Sequence, residues 1–132
     1  MTKLAATIAR LRDRLAVYMD DRGRELFDLP GAPLPDPDTP APPRILAPFD
    51  NVLLAHADRA RIVSQAHRAL ISRDRLMRTF LIDGVVAGTW SLTDRQLELA
   101  PFARLRAPDR GALLAEAERL ATFAGYRAVK LI

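Results

Sequence analysis

Leu4, Ile8, Leu11, Leu15 and Tyr18 follow one another at alternating intervals of four and three residues. That spacing puts them on one narrow stripe of a helix predicted from about Thr2 to Asp21, with Gly23 as its stop. A lone helix with such a stripe is marginal in water and needs a surface to cover it. From Leu29 to Pro43 the periodicity vanishes into LPGAPLPDPDTPAPP, which holds most of the 10 prolines of the chain. Fixed φ angles and missing N–H donors make this an extended, semi-rigid strap, with a disordered linker or a proline-rich ligand segment as the other readings.

Downstream the pattern turns to strands. Arg44 to Ala47 reads as a short strand, and Pro48 as a turn leading into a helical turn from Asp50 to His56. Arg75 to Ile82 and Val85 to Leu92 flank Asp83-Gly84, a dipeptide suited to a two-residue turn with positive φ at both positions. An unbroken register from that turn sets Leu81 opposite Val86, Phe80 opposite Ala87, Gly88 opposite Thr79 and Trp90 opposite Met77. Both faces then carry apolar residues, as an interior hairpin requires. A turn at Thr93 to Arg95 leads to a third strand, Gln96 to Phe102. Pro108 opens a helix whose Leu113, Ala117, Leu120 and Ala124 form an apolar face ending at Gly125, and Tyr126 to Ile132 is a last strand. The predicted fold is α+β: an antiparallel sheet with a central Asp-Gly hairpin, a packed C-terminal helix, and an N-terminal helix joined by the proline-rich strap. The chain is expected to form a single domain over 1–132, with the helix over 1–22, the strap over 29–43 and the lobe over 44–132.

At 132 residues and 49% hydrophobic composition there is material for one core. No apolar run approaches the ~20 residues that span a bilayer, and the first residues mix Lys3, Arg10, Arg12 and Arg14 among alanines. A cytoplasmic protein is expected. The absence of cysteine removes disulfides, thiolate metal sites and thiol nucleophiles. Among the 20 basic residues only Lys3 and Lys130 are not arginine, a bias that fits either arginine-rich codon usage or selection for guanidinium forks. Its location is more telling. Between Asp58 and Arg78, Arg59, Arg61, Arg68, Arg73, Arg75 and Arg78 stand against only Asp58 and Asp74, and this accounts for the whole net charge of +4.

Candidate chemistry is sparse. Asp50, His56 and Asp58 lie close in sequence, but the chain has 2 histidines and no HxxxH or HExxH spacing, so neither a metal nor a cofactor is expected. Asp50 reads better as the cap of the turn that follows it, or as an ion-pair partner of Arg59 or Arg61 across that turn. Ser64 and His67 lack the GxSxG setting of a nucleophile and fit a helix N-cap with an exposed first turn. Gly84 and Gly88 suit a turn and a close packing contact rather than a phosphate loop. The six arginines are the DNA-binding candidates, because guanidinium forks match phosphate oxygens; a solvated charged face is the other reading. No aromatic platform accompanies them, since Phe80 and Trp90 are predicted inside the sheet, so base stacking or flipping lacks its usual side chains.

Within Arg44 to Leu92 the motifs PFDN (Pro48 to Asn51), LLAH (Leu53 to His56), DRARI (Asp58 to Ile62) and FLIDGVVAGTW (Phe80 to Trp90) occur in that order. Upstream stands GRELFDLPGAPLPDPDTPAPPR (Gly23 to Arg44), and downstream LAPFARL (Leu99 to Leu105) and AEAERL (Ala115 to Leu120). Together they resemble the C-terminal lobe of the winged-helix DNA-binding family that includes bacterial glycosylases acting on alkylated bases and interstrand crosslinks. Phe49, Asp50, Asn51, Gly84 and Trp90 are the structural positions of that resemblance. It implies that the winged helices and a catalytic Gln-x-Gln or Gln-x-acid motif lie upstream of the lobe. The only glutamines here, Gln65 and Gln96, are too far apart for a Gln-x-Gln motif.

The resulting expectation is an accessory, non-catalytic DNA-binding domain with no catalytic activity in isolation. Its rivals are an interaction or vestigial module without nucleic-acid activity, and one part of a split DNA glycosylase. The apolar stripe of the first helix adds a homodimer, or a partner that covers it, to the expectations.

Overall fold

A computed structural model describes residues 3–56, 58–71 and 78–132. The chain divides into two compact units, Met1–Thr39 and Pro40–Ile132, and the division falls inside the proline-rich segment. No helix or strand occupies that segment between Leu29 and Pro43.

In the first unit the helix is shorter than its apolar stripe. Helix α1 covers Lys3–Leu11, a 3₁₀ turn covers Arg12–Arg14, and strand β1 (Ala16–Met19) pairs antiparallel with β2 (Glu25–Asp28). The helix expected over 1–22 is therefore corrected to a helix followed by a hairpin. Two local effects account for it. Val17 and Tyr18 favour a pleated strand. Asp20 also draws the backbone into a loop: its carboxylate accepts from the N–H of Arg22 (2.9 Å) and Arg24 (2.8 Å) and from Nε of Arg24 (2.7 Å), local bonds that compete with helix. Gly23 takes φ 73° in the same loop. Arg12 closes the unit, its guanidinium paired with Glu25 and lying 5.6 Å from the centroid of the Phe27 ring.

The second unit is a five-stranded sheet in the order β3-β4-β5-β6-β7: β3 Arg44–Ile45, β4 Thr79–Ile82, β5 Val85–Thr93, β6 Gln96–Pro101 and β7 Ala128–Leu131. The sheet is mixed, not antiparallel throughout, because β7 runs parallel to β6. Helix α2 spans Asn51–Leu54, α3 spans Gln65–Arg68 and α4 spans Ala107–Ala124. The reversal follows from α4. Its 18 residues rise about 27 Å, enough to carry the chain back along the sheet before β7 begins. Gly125, at φ 68°, ends the helix in the left-handed conformation. Leu113, Ala117 and Ala121 form its buried face; Ala124 is exposed.

Alternation along β4 divides the core. Phe80 packs with Leu97, Leu99, Leu113 and Ala117 under α4. Leu81 packs with Val86, Leu46, Leu53, Val63 and Ile71 beneath the segment before β4. Each large side chain that is fully buried here contributes roughly 1.5–3 kcal/mol.

Asp83 (φ 50°) and Gly84 (φ 72°) connect β4 to β5, with Ile82 opposite Val85 and Leu81 opposite Val86. The register then slips. Phe80 faces Gly88 and Thr79 faces Thr89, so Ala87 is an extra residue on β5, and the expected pairings of Phe80 with Ala87 and of Thr79 with Gly88 are corrected by one position. Trp90 N–H accordingly donates to the carbonyl of Arg78 (2.8 Å). Met77, its expected neighbour, lies outside the described residues. The next turn, at Asp94 (φ 49°) and Arg95 (φ 64°), uses no glycine at all. Arg95 is held there from two sides: its guanidinium donates to the Gly125 carbonyl, and its own carbonyl accepts from Arg127 N (2.7 Å).

Candidate nucleic-acid interface

The described part of the arginine segment is a chain of short local motifs clamped to one strand residue. Asp58 Oδ1 accepts from Ala60 N (2.9 Å), and the Arg59 carbonyl accepts from Ile62 N (2.9 Å) and Val63 N (2.7 Å), which folds DRARI into a turn. Ser64 caps α3 through Oγ, accepting from His67 N (3.3 Å). Val86 then binds the segment with both of its backbone groups. Its N–H donates to the Ile62 carbonyl (2.8 Å), and its carbonyl lies 3.2 Å from Nδ1 of His67, a donor in the tautomer that carries the proton there. The His67 ring also packs on Phe102, with centroids 4.9 Å apart. Buried Val63 and Ile71 anchor the ends of this stretch in the core. Strand β5 thus holds a basic loop at two points, and loops positioned by a sheet in this way commonly carry binding residues.

Of the six candidate arginines, Arg61, Arg68 and Arg78 are exposed and Arg59 is half-buried; Arg73 and Arg75 lie outside the described residues. Arg68 approaches Asp58 at 4.0 Å, a long contact between partly exposed groups that contributes about 1 kcal/mol at most. Arg78 places its guanidinium carbon 5.8 Å from the centroid of the Trp90 ring. Trp90 itself is half-buried and donates from Nε1 to the Leu46 carbonyl (3.0 Å).

PFDN is a turn and a cap. Asp50 Oδ1 accepts from Val52 N (2.9 Å), its carbonyl accepts from Leu53 N and Leu54 N, and Asn51 begins α2. Among the described residues Asp50 makes these local bonds and no ion pair with Arg59 or Arg61 is seen. Phe49 is unusual in adopting φ 64° while 62% exposed. Left-handed backbone costs a non-glycine residue roughly 1–2 kcal/mol; beyond the turn, Leu53 is buried in the core.

A second basic cluster, given no role in the sequence reading, lies at the start of α4. Phe102, which packs on His67, donates its N–H to the Ala87 carbonyl (2.9 Å), and Arg104, Arg106 and Arg110 follow. Arg106 forks onto Asp109 (Nε 2.6 Å, Nη2 3.1 Å); that bond first, then the charges of Asp109 and Asp83, hold its guanidinium above the ordinary arginine value. The string RLRAPDR is the one signal of it in the sequence. Among the described residues no group of three His, Cys, Asp or Glu side chains is arranged to hold a metal, and no helix is long and apolar enough to cross a membrane.

A family model described as DNA glycosylase AlkZ-like matches residues 1–123. The solved structure of Streptomyces sahachiroi DNA glycosylase AlkZ is similar, with a TM-score of 0.71 at 25% sequence identity over 100% of this chain and 38% of that chain. The chain therefore spans well under half the length of that enzyme. No match is found among curated proteins.

Proposed function

The chain belongs to the AlkZ-like DNA glycosylase family, and from that premise we propose that it is an accessory, non-catalytic DNA-binding domain. It corresponds to a lobe that accompanies winged helices and the base-releasing site rather than to that site itself. The observation that carries this reading is the exposed arginine segment clamped to Val86. Arg59, Arg61, Arg68 and Arg78, with Arg73 and Arg75, supply guanidinium forks to phosphate oxygens, which position a protein on DNA without reading sequence. Binding of this kind is weak, sequence-tolerant and steeply dependent on salt. The test is fluorescence anisotropy on unrelated duplexes across a salt series. With about four phosphates neutralised, log K falls against log salt with a slope near −3.6, and replacing Arg59, Arg68 and Arg78 with glutamine flattens it. Binding that ignores both salt and these substitutions sinks the proposal.

A second reading, an interaction module that pairs with another copy or completes a partner as one part of a split glycosylase, is favoured by the first unit. Leu4, Met19 and Leu26 are all exposed there, and its helix and 3₁₀ turn bury no residue. In this reading those side chains are covered by association, and the proline-rich strap supplies the reach for a homodimer or a swapped pair.

A further inference from the structure

Where β6 runs into α4 the surface opens into a groove of about 730 Å³, lined by Pro101, Arg104, Leu105, Arg110, Leu114 and Leu131 among others. Its charge is not balanced. Arg106 is committed to Asp109 by two N–H···O bonds, whereas among the described residues neither Arg104 nor Arg110 meets a carboxylate. Two guanidinium groups with no side-chain carboxylate partner therefore stand beside Leu105, Leu114 and Leu131, and low-dielectric walls concentrate the field of such a pair and favour an anion between them.

The chemistry of the lining narrows the ligand. No aromatic side chain lines the groove, so a base finds no stacking platform there. Phosphate oxygens find two forks, and the apolar face of a sugar finds Leu105 and Leu114. Position supplies an independent argument. Phe102, two residues before Arg104, is packed on His67 and bonded to Ala87, next to the Val86 clamp of the arginine segment. Phe102 thereby holds the start of the loop to α4 beside His67 of the arginine segment.

We propose that this groove is a second phosphodiester-binding surface, in which Arg104 and Arg110 fork successive phosphates of a DNA strand that also runs past the arginine segment. The inference rests on the DNA-binding reading given above. It makes the footprint on DNA continuous from the segment before β4 to the first turns of α4, through residues that contact the backbone and leave the bases unread.

The experiment uses the full chain and a short fluorescein-labelled duplex, with anisotropy read at several salt concentrations. In the Arg104→Gln, Arg110→Gln variant the log–log slope becomes shallower by about 1.8, two phosphates' worth, and affinity drops alike on unrelated sequences. The Arg104→Lys, Arg110→Lys variant keeps the charge and retains the slope, which separates charge loss from damage to the fold. On adding the duplex, amide signals of Ala103, Gly111 and Leu114 shift in two-dimensional NMR spectra. An unchanged slope in the glutamine variant, with shifts confined to the segment before β4, overturns the groove and leaves the DNA-binding reading standing. A wild-type chain that binds no duplex even at low salt overturns both.

Discussion

The ring of Phe80 fills the space that a side chain at Gly88 would need. A Cβ built on Gly88 falls 2.3 Å from Cζ of Phe80 and 2.5 Å from the carbonyl oxygen of Ala100. Phe80 is fully buried and Ala100 O is backbone, so neither has room to give. Gly88→Ala is expected to destabilise the second unit by about 1–3 kcal/mol through overpacking. Gly84→Ala meets nothing within 4 Å but must adopt φ 72°, so its cost is roughly 1–2 kcal/mol and purely conformational. Adding Phe80→Leu to each variant distinguishes them by urea denaturation. It relieves part of the Gly88→Ala penalty and none of the Gly84→Ala penalty; equal coupling in both double variants argues against the steric account.

Trp90 offers a second test, because it is the one tryptophan of the chain and ties β5 to the residue that follows β3. Trp90→Phe leaves the Leu46 carbonyl without its donor and is expected to cost about 1–3 kcal/mol, seen as a lower urea midpoint by circular dichroism with an unchanged slope. Arg78→Gln removes only an exposed stacking contact worth about 0.5–1 kcal/mol, yet it alters Trp90 emission in the folded state. Emission identical to wild type in that variant means that the contact does not persist in solution.

What could be read in advance follows from the range of the forces involved. Helix α4 was legible because Pro108 and Gly125 punctuate it locally, although its buried face turns on Ala121 rather than Ala124. The family was legible in the order of PFDN, DRARI and FLIDGVVAGTW. The N-terminal helix was overextended because apolar spacing alone does not register the Asp20 loop, whose side-chain bonds favour a hairpin. The slip at Ala87 depends on one aromatic ring needing an empty position on the neighbouring strand, a packing event that an even pleat does not anticipate. At the site, the arginines before β4 stood out by composition. The groove at Arg104 and Arg110 did not, because it exists only where the end of β6, the start of α4 and the end of β7 come together in the fold.

Asp20 carries the clearest pH dependence. Bonds from the Arg24 backbone first, then from its guanidinium and the Arg22 backbone, pull the carboxyl from 3.8 to about 2 although its side chain is only 1% exposed. A folded-state value below the unfolded one means that the contribution is complete above about 3.8 and is lost as pH falls through about 2. The Arg12 hydrogen bond and charge lower Glu25 in the same direction. Carboxyl NMR should therefore show Asp20 half-titrated near 2, with the Arg22 and Arg24 amide signals moving in step. Asp20→Asn should abolish that movement, and a midpoint near 3.8 would show that the loop does not hold its bonds.

The first unit makes the last prediction. Leu4 is 69% exposed, Met19 62% and Leu26 44%, and the hairpin that carries two of them has only two strands. A two-stranded ribbon with apolar side chains open to water is marginal alone, and Tyr18 and Leu26, paired across it and both exposed, are the side chains an association would cover. Because α1 stops at Leu11, the exposed apolar side chains of this unit come from a helix and a hairpin and not from one long helix. Light scattering at micromolar concentration should accordingly give the mass of a pair, falling toward one chain on dilution. Tyr18→Lys with Leu26→Lys, opposite one another on β1 and β2, should shift the protein to the monomer while Trp90 fluorescence stays native. A single-chain mass in the wild type at every concentration would mean that these side chains find cover without a second copy.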